Sequence, residues 1–417
     1  MCGIAGIIQP SPKYDLHNVK KMTDAIAHRG PDGEKFWQNN EHTVLLGHRR
    51  LSIIDLSDNA AQPMHYLDRY TIIHNGEIYN YIELREELKK EGYIFNSQSD
   101  TEVIMAAYDH WKEGCLDEFD GMFAFVIYDD KEKEIFAARD RFGEKPFYYS
   151  YDQQDQTFCF ASEMKAIWTL QPKKPNLKML FNFLTIGYVD NPNYLQETFD
   201  DSIEKLPPAQ FMKIKIGNGL QITSEKYWDL DFEEEQKISD KDAIDKFNEL
   251  FSISVKRRQR SDVPLGTSLS GGLDSSSIAA EISRRQAPNS KLQTFSAIFP
   301  AFEKDEEKYI DLIAKQFNFQ SFKTDLSVMD IPALVQTVIS QQDEPISSAS
   351  SVAQFKVFEL AKEQNVKVLL EDVLHLQLHG DLQQMSLVVL VQKVLTAVMS
   401  MTAFLAVLQA PLDESQY

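Results

Sequence analysis

The sequence predicts two successive domains of different class: an α+β domain built on a largely antiparallel sheet, then an α/β domain with a doubly wound parallel sheet. First, residues 2–138 mix β-type runs with amphipathic helices and contain a hairpin signature. Second, a proline-broken and charged stretch lies between Lys205 and Lys237. Third, beyond it strand-like and helix-like segments alternate. A chain of 417 residues is also too long for one ordinary domain.

In the first part, residues 2–8 are apolar and glycine-containing, and Val44–Leu46 and Tyr70–Ile73 are β-type runs. Phe123–Tyr128 is followed by the charged turn DDKEKE and then Ile135–Ala138, a hairpin pattern. Asn80–Lys90 has apolar positions at Tyr81, Ile82, Leu84 and Leu88 with charges opposite, the helical period. Asp100–Trp111 opens on an acidic N-cap candidate and continues as a helix through Val103, Ile104, Ala107 and Tyr108. Pro207–Pro208 breaks the chain, Tyr227–Phe232 is aromatic and acidic, and Glu233–Lys237 is charged. The expected division is a first domain over 1–205, a linker over 206–239, a second domain over 240–370 and a divergent tail over 371–417. The second domain reads as helix 240–257, strand Gly266–Ser268, a glycine loop, helix Ser275–Arg285, strand Gln293–Phe299 and helix Glu306–Phe317. Helices over 331–341 and 351–364 and a strand over Val366–Leu370 complete it.

Composition narrows the function. A formal charge of −20 argues against a broad nucleic-acid surface, although a single loop of backbone N–H groups can hold a phosphate without basic composition. The three cysteines, Cys2, Cys115 and Cys159, form neither a disulfide framework nor a zinc-ligand pattern, which fits a reducing compartment. The start MCGIAGIIQP lacks the basic region of a signal peptide, so a cytoplasmic location is expected. In the tail, Val394–Leu408 is uncharged but falls short of the ~20 residues that span a bilayer, so a buried or amphipathic helix is expected rather than a membrane segment.

Cys2 is the first candidate for chemistry. Removal of Met1 would leave its thiol beside a free α-amino group, whose ordinary pKa near ~7.7–8.0 suits it to take the thiol proton. One residue would then supply nucleophile and base. Taken alone, a cysteine here is more readily a small residue packed in a strand. Other segments accompany it: HRGPD (28–32), GHRRLSIID (47–55), HNGEIYN (74–80), QSDTE (98–102), GMFAF (121–125), ARDRFGEKPF (138–147) and FASEMK (160–165). In order and spacing, with MCGIAG, they resemble the class II glutamine amidotransferases over about 1–200. The resemblance implies a four-layer αββα N-terminal-nucleophile fold. It implies a catalytic Cys2, an oxyanion hole from the Asn75 side chain and the Gly76 N–H, and Arg50 gripping the glutamine α-carboxylate. It also implies Glu77 and Asp100 as acceptors for the α-amino group, with backbone around Leu51 and Ile53 lining the pocket. These assignments suit the chemistry: preorganised donors stabilise a developing oxyanion, and guanidinium grips a carboxylate bidentately. By itself Asp100 could equally cap a helix, and Asn75–Gly76 could be a turn.

The second candidate is SGGLDSS, Ser270 through Gly271, Gly272, Leu273, Asp274 and Ser275 to Ser276, followed by an apolar helix. Glycines let backbone N–H groups face an anion, and the helix N-terminus favours it, though a capped glycine turn would look the same. No Walker lysine is present. The segment resembles the pyrophosphate loop of ATP pyrophosphatases. That resemblance implies ATP, framed by Leu269, Ala297 and Ile298, with Asp274 helping to hold Mg²⁺. Asp343–Pro345 also matches but reads as an acidic turn before proline, with no catalytic role assigned.

A glutaminase domain followed by an adenylating domain resembles the asparagine synthetases. This implies adenylation of aspartate by ATP, with ammonia from glutamine displacing AMP along an enclosed path. The implied partners are therefore glutamine, aspartate and ATP, with no nucleic acid or membrane and with a homodimer left open. Two alternatives stand beside it: amidation of another carboxylate, and a glutaminase-only relic that binds partners through its tail. After Leu370 the sequence EDVLHLQLHG replaces the glycine-rich acidic stretch of the family, so a weak or inactive synthetase half is expected.

Overall fold

The computed structural model describes residues 1–230, 238–286, 290–300 and 302–371. The first domain runs β1 (Gly3–Ile8), α1 (Leu16–Ala25), β2 (Gly33–Gln38), β3 (Val44–Arg50), β4 (Met64–Tyr66), β5 (Tyr70–Ile78), α2 (Tyr81–Lys90), α3 (Asp100–Trp111) and α4 (Cys115–Glu118). It continues through β6 (Gly121–Asp129), β7 (Glu134–Arg139), β8 (Tyr148–Asp152), β9 (Thr157–Ala161), α5 (Met164–Ile167), α6 (Leu177–Ile186), β10 (Glu204–Lys205), β11 (Gln210–Ile216) and β12 (Leu220–Lys226). Two six-stranded sheets result, ordered β10-β8-β9-β1-β3-β2 and β12-β11-β7-β6-β5-β4.

Strand periodicity explains why these sheets stack with helices outside. Successive side chains on a strand point to opposite faces. Ile8, Leu46 and Ile73 pack between the sheets with Val126, Tyr128 and Phe160. Their neighbours Ile7 and Leu45 pack outward against Val19 and Met22 of α1 and Met164 of α5. On the other side Ile72, Phe125 and Phe136 meet Leu84 and Leu88 of α2 and Val103 and Ala107 of α3. Both faces of each sheet are therefore covered, giving the expected αββα layers. The β6–β7 hairpin forms at the predicted turn. The Asp129 carboxylate accepts from the N–H groups of Lys131 (3.1 Å) and Glu132 (3.2 Å), and Arg69 pairs with it at 2.6 Å.

The segment read as linker from residue 206 begins differently: β11 and β12 complete the second sheet, and Tyr227 donates its hydroxyl to Arg139 O at 2.9 Å. Pro207–Pro208 marks the entry to a sheet edge instead of a domain boundary. The charged run Glu233–Lys237 lies outside the described residues, as does the tail from 372.

The second domain contains α7 (Asp240–Arg258), β13 (Leu265–Ser268), α8 (Leu273–Ser283), β14 (Gln293–Ile298), α9 (Glu307–Gln316), β15 (Gln320–Asp325), α10 (Ile331–Gln342), α11 (Ser350–Glu363) and β16 (Val368–Leu370). All its strand pairs are parallel, in the order β15-β14-β13-β16, with reversal beside β13 as in a doubly wound sheet. Strand β15, QSFKTD, escapes the sequence reading because an edge strand this polar has no apolar run. Helix α8 begins at Leu273, two residues before the predicted start. No helix among the described residues is long and apolar enough to cross a membrane.

Candidate active site

Cys2 precedes β1, and its carbonyl accepts from Arg29 Nε at 2.9 Å. Its sulfur lies 3.4 Å from the Leu51 N–H nitrogen and 3.7 Å from Leu51 O. Burial raises the Cys2 thiol pKa, a shift that the neighbouring α-amino group opposes. Met1 is present in this chain, so that amine belongs to Met1 and not yet to Cys2.

Asn75 and Gly76 do not form a turn. Both lie inside β5, opposite Ala124 and Phe123 of β6. The β5 strand is buried on both faces, by the first sheet and by α3, so its polar residues are buried with it. Asn75 is fully buried, and neither polar atom of its side chain has a hydrogen-bond partner. A buried amide without partners costs free energy, and a ligand that satisfies it recovers that cost. Gly76 is packed so closely that a Cβ there would stand 2.1 Å from Met122 O.

Asp100 does not cap its helix either. Ser99 is the N-cap of α3, accepting from the Thr101 N–H, while Asp100 Oδ2 accepts from the Ile78 N–H at 2.9 Å. Glu77 and Asp100 are both buried. Burial, with the Asp100 charge beside it, raises the Glu77 carboxyl to about 7. Burial also raises Asp100, against the hydrogen bonds it accepts. Arg50 ends β3, and its guanidinium donates to Ser57 O at 2.8 Å and to Asp55 O. Cys2, Arg50, Leu51, Ile53, Asn75, Gly76, Glu77 and Asp100 all line one cleft.

Lys145 lines the same cleft, though the sequence assigned it no role. The buried Asp140 carboxylate shapes its loop, accepting from the backbone N–H groups of Phe142, Glu144 and Lys145 at 2.9–3.0 Å. Burial lowers the Lys145 ammonium pKa, while Glu144 and Glu77 oppose that shift. Arg29 was also missed. It reaches Glu163 at 2.7 Å; burial would raise that carboxyl, but His28 and Arg29 outweigh it and hold it at about 2. Lysine in GEKPF and arginine in HRGPD carry no periodic signal, so only their motifs could have marked them.

In the second domain the loop after β13 runs Ser270–Gly272 into α8. Gly271 has φ +82°, and a Cβ there would come within 2.8 Å of Tyr309 Cβ. Ser270 Oγ and Ser275 Oγ are 2.9 Å apart, and Ser270 Oγ accepts from the Gly272 N–H at 3.2 Å. The Ser276 hydroxyl is buried without a partner. Leu269 donates its N–H to Phe295 O at 2.9 Å, which ties the loop to β14, the strand bearing Ala297 and Ile298. Asp274 lies in the first turn of α8. A glycine cradle, serine donors, an orphaned hydroxyl and a helix N-terminus suit a polyphosphate. Asp343, read as a bland turn, caps α10 with φ +65° and accepts from the Lys165 N–H of the first domain at 2.9 Å.

Comparison with known proteins places the chain in a family. Residues 1–228 match the glutamine amidotransferase domain family, and residues 246–372 match the asparagine synthase family. The putative asparagine synthetase [glutamine-hydrolyzing] 2 of Methanocaldococcus jannaschii is 37% identical over 388 residues, covering 87% of this chain and 72% of that protein. Asparagine synthetase [glutamine-hydrolyzing] 1 of Bacillus subtilis is 35% identical over 87% of this chain and 56% of its own length. Among solved structures, the Bacillus subtilis glutamine phosphoribosylpyrophosphate amidotransferase aligns at 12% identity over 99% of this chain and 94% of that one, with a TM-score of 0.40. The chain belongs to the glutamine-hydrolysing asparagine synthetase family. It spans a little over half the length of the Bacillus subtilis relative and about three quarters of the archaeal one.

Proposed function

We propose that the first domain hydrolyses glutamine at Cys2 and that the second is the half in which the ammonia would serve an ATP-dependent synthesis of asparagine from aspartate, an activity expected to be weak or absent here because EDVLHLQLHG follows Leu370. The observation that carries the first half is the Asn75 amide, buried without partners in the cleft that Cys2 lines. In the proposed reaction the Cys2 sulfur bonds to the amide carbon of glutamine, and the carbonyl oxygen gathers charge facing Asn75 Nδ2 and the Gly76 N–H. Once Met1 is removed, the freed Cys2 α-amino group takes the thiol proton as sulfur attacks and passes it to the departing nitrogen as the C–N bond breaks, so that ammonia leaves; water then cleaves the resulting thioester to glutamate and restores the thiol. Arg50 holds the substrate α-carboxylate, and Glu77 and Asp100 hold its α-ammonium. Two buried carboxyls, both with raised pKa, favour a cationic ligand between them.

For the second half, family membership and the Ser270–Ser276 loop support ATP as substrate, with Leu269, Ala297 and Ile298 framing the base. Asp274 would hold Mg²⁺, a hard cation that neutralises phosphate charge when bound. Cys2→Ala is expected to abolish glutamate release while Cys115→Ala and Cys159→Ala retain it. An electrophilic glutamine analogue should label Cys2 alone; labelling at Cys115 or Cys159 would overturn the assignment. Assays of AMP, pyrophosphate and asparagine with aspartate and Mg-ATP, using either glutamine or ammonia, test the second half separately.

A further inference from the structure

The loop that carries Leu51 and Ile53 is held from outside its own domain. Asp262, between α7 and β13, donates its N–H to Ile53 O at 2.9 Å, and its carboxylate accepts the Asp55 N–H at 2.7 Å. Asp32 Oδ2 accepts the Ser52 N–H and the Lys367 ammonium, each at 2.8 Å. Lys367 directly precedes β16, and β13 and β16 are parallel neighbours. The two anchors therefore stand at the amino ends of paired strands, one of which leads straight into the Ser270–Ser276 loop.

From the anchor the contacts run into the cleft. Asp55 accepts from Arg50 Nη2 through its carbonyl, and from the Gln98 and Ser57 N–H groups through its carboxylate at 2.7 and 3.1 Å. Ser57 O takes Arg50 Nη1. The geometry points to Asp262 as a positioning residue for the glutamine half-reaction: it fixes the 51–57 loop, and through Asp55 the Arg50 fork, without lining the cleft itself. This rests on the glutamine reading above. Surface loops move unless tied down, and bound geometry tolerates little displacement. Asp262 carries more of this than Lys367, because it engages two backbone groups of the loop directly, whereas Lys367 reaches the loop only through Asp32.

Asp262→Ala and Asp262→Asn in the full chain test the inference by glutaminase kinetics beside the wild type. Arg50 grips a part of the substrate that does not react, so its displacement weakens ground-state binding. The alanine variant is expected to raise the glutamine KM about tenfold, the effect of one lost charge-assisted hydrogen bond, with kcat within about twofold. Asparagine keeps an oxygen that accepts the Asp55 N–H, so that variant restores KM. Hydrogen exchange should be faster over 51–57 in the alanine variant alone. A wild-type KM in the alanine variant, or a parallel loss of kcat that asparagine does not rescue, would overturn the inference while leaving glutamine hydrolysis standing. A wild type that releases no glutamate would sink the glutamine reading itself, and the inference with it.

Discussion

Glu77 shows how burial sets chemistry one residue at a time. Its carboxyl, ordinarily near 4.5, titrates at about 7 because burial and then Asp100 disfavour its charge. The folded state therefore binds a proton more tightly than the unfolded chain. That contribution to stability is complete below about pH 4.5 and is lost as pH rises through about 7. In the proposed site, binding the glutamine α-ammonium needs the ionised form, so kcat/KM for glutamine should climb as pH passes upward through about 7. Glu77→Gln should lower it and flatten that limb; an unchanged profile would remove Glu77 from the substrate site. Arg50 and Asn75 are expected to separate binding from turnover. Arg50→Lys keeps charge but loses the fork and should raise KM. Asn75→Ala removes the proposed oxyanion donor and should cut kcat by roughly 10²–10³-fold, measured by glutamate release at saturating glutamine.

Strand β5 is the element on which the first site depends. The apolar run Tyr70–Ile73 announced a strand, but the strand continues through the polar residues to Ile78. Pairing with β6 and cover from α3 outweigh the turn propensity of Asn-Gly, because a buried backbone must keep its hydrogen bonds. Helix α3 likewise begins as read, with the capping transferred to Ser99, which releases Asp100 to bind the Ile78 N–H. The cover on this sheet is aromatic: Phe136 is buried against Tyr108, Phe125 and Phe211. Phe136→Ala should destabilise the first domain by about 3–5 kcal/mol through the cavity it leaves. Urea unfolding followed by tryptophan fluorescence would measure it, and a loss under ~1 kcal/mol would show that the site collapses around the gap.

Across the whole molecule, the two domains meet through directed contacts. Arg260 forks onto Glu83 at 2.6 and 2.7 Å, and Arg257 reaches Asp120 at 2.8 Å. At the carboxyl end of the parallel sheet, Glu371 follows β16. It is bound by the Ser268 hydroxyl and the Gln354 amide, and burial raises its carboxyl to about 7. Ser268 ends β13, two residues before the Ser270–Ser276 loop, so an ionised Glu371 stands on the side that phosphates would approach. Like charges repel strongly where water is scarce. Glu371→Gln is therefore expected to tighten Mg-ATP binding several-fold above pH 7 and to leave it nearly unchanged below pH 6, by titration calorimetry. Equal affinities at both pH values would show that Glu371 does not face the nucleotide.

By itself the sequence determined the two domain classes, the principal strands and helices, and the segments proposed to carry the two sites, because periodicity, glycine placement and ordered motifs are local properties. It did not determine the end of the first domain: β11 and β12 look like connector until β11 pairs with β7, more than seventy residues earlier, and β12 adds to its outer edge. Nor could it mark Lys145, which enters the cleft because Asp140 gathers a loop of backbone N–H groups around itself. The hold of Asp262 on Ile53 and Asp55 was equally hidden, since a hydrogen bond to backbone leaves no complementary residue in the partner. Only the tertiary structure decided these points. Strand partners, the burial that draws a loop into a cleft, and contacts between residues some two hundred apart such as Asp55 and Asp262 all depend on how sheets stack and domains abut, and no short window of sequence contains that information.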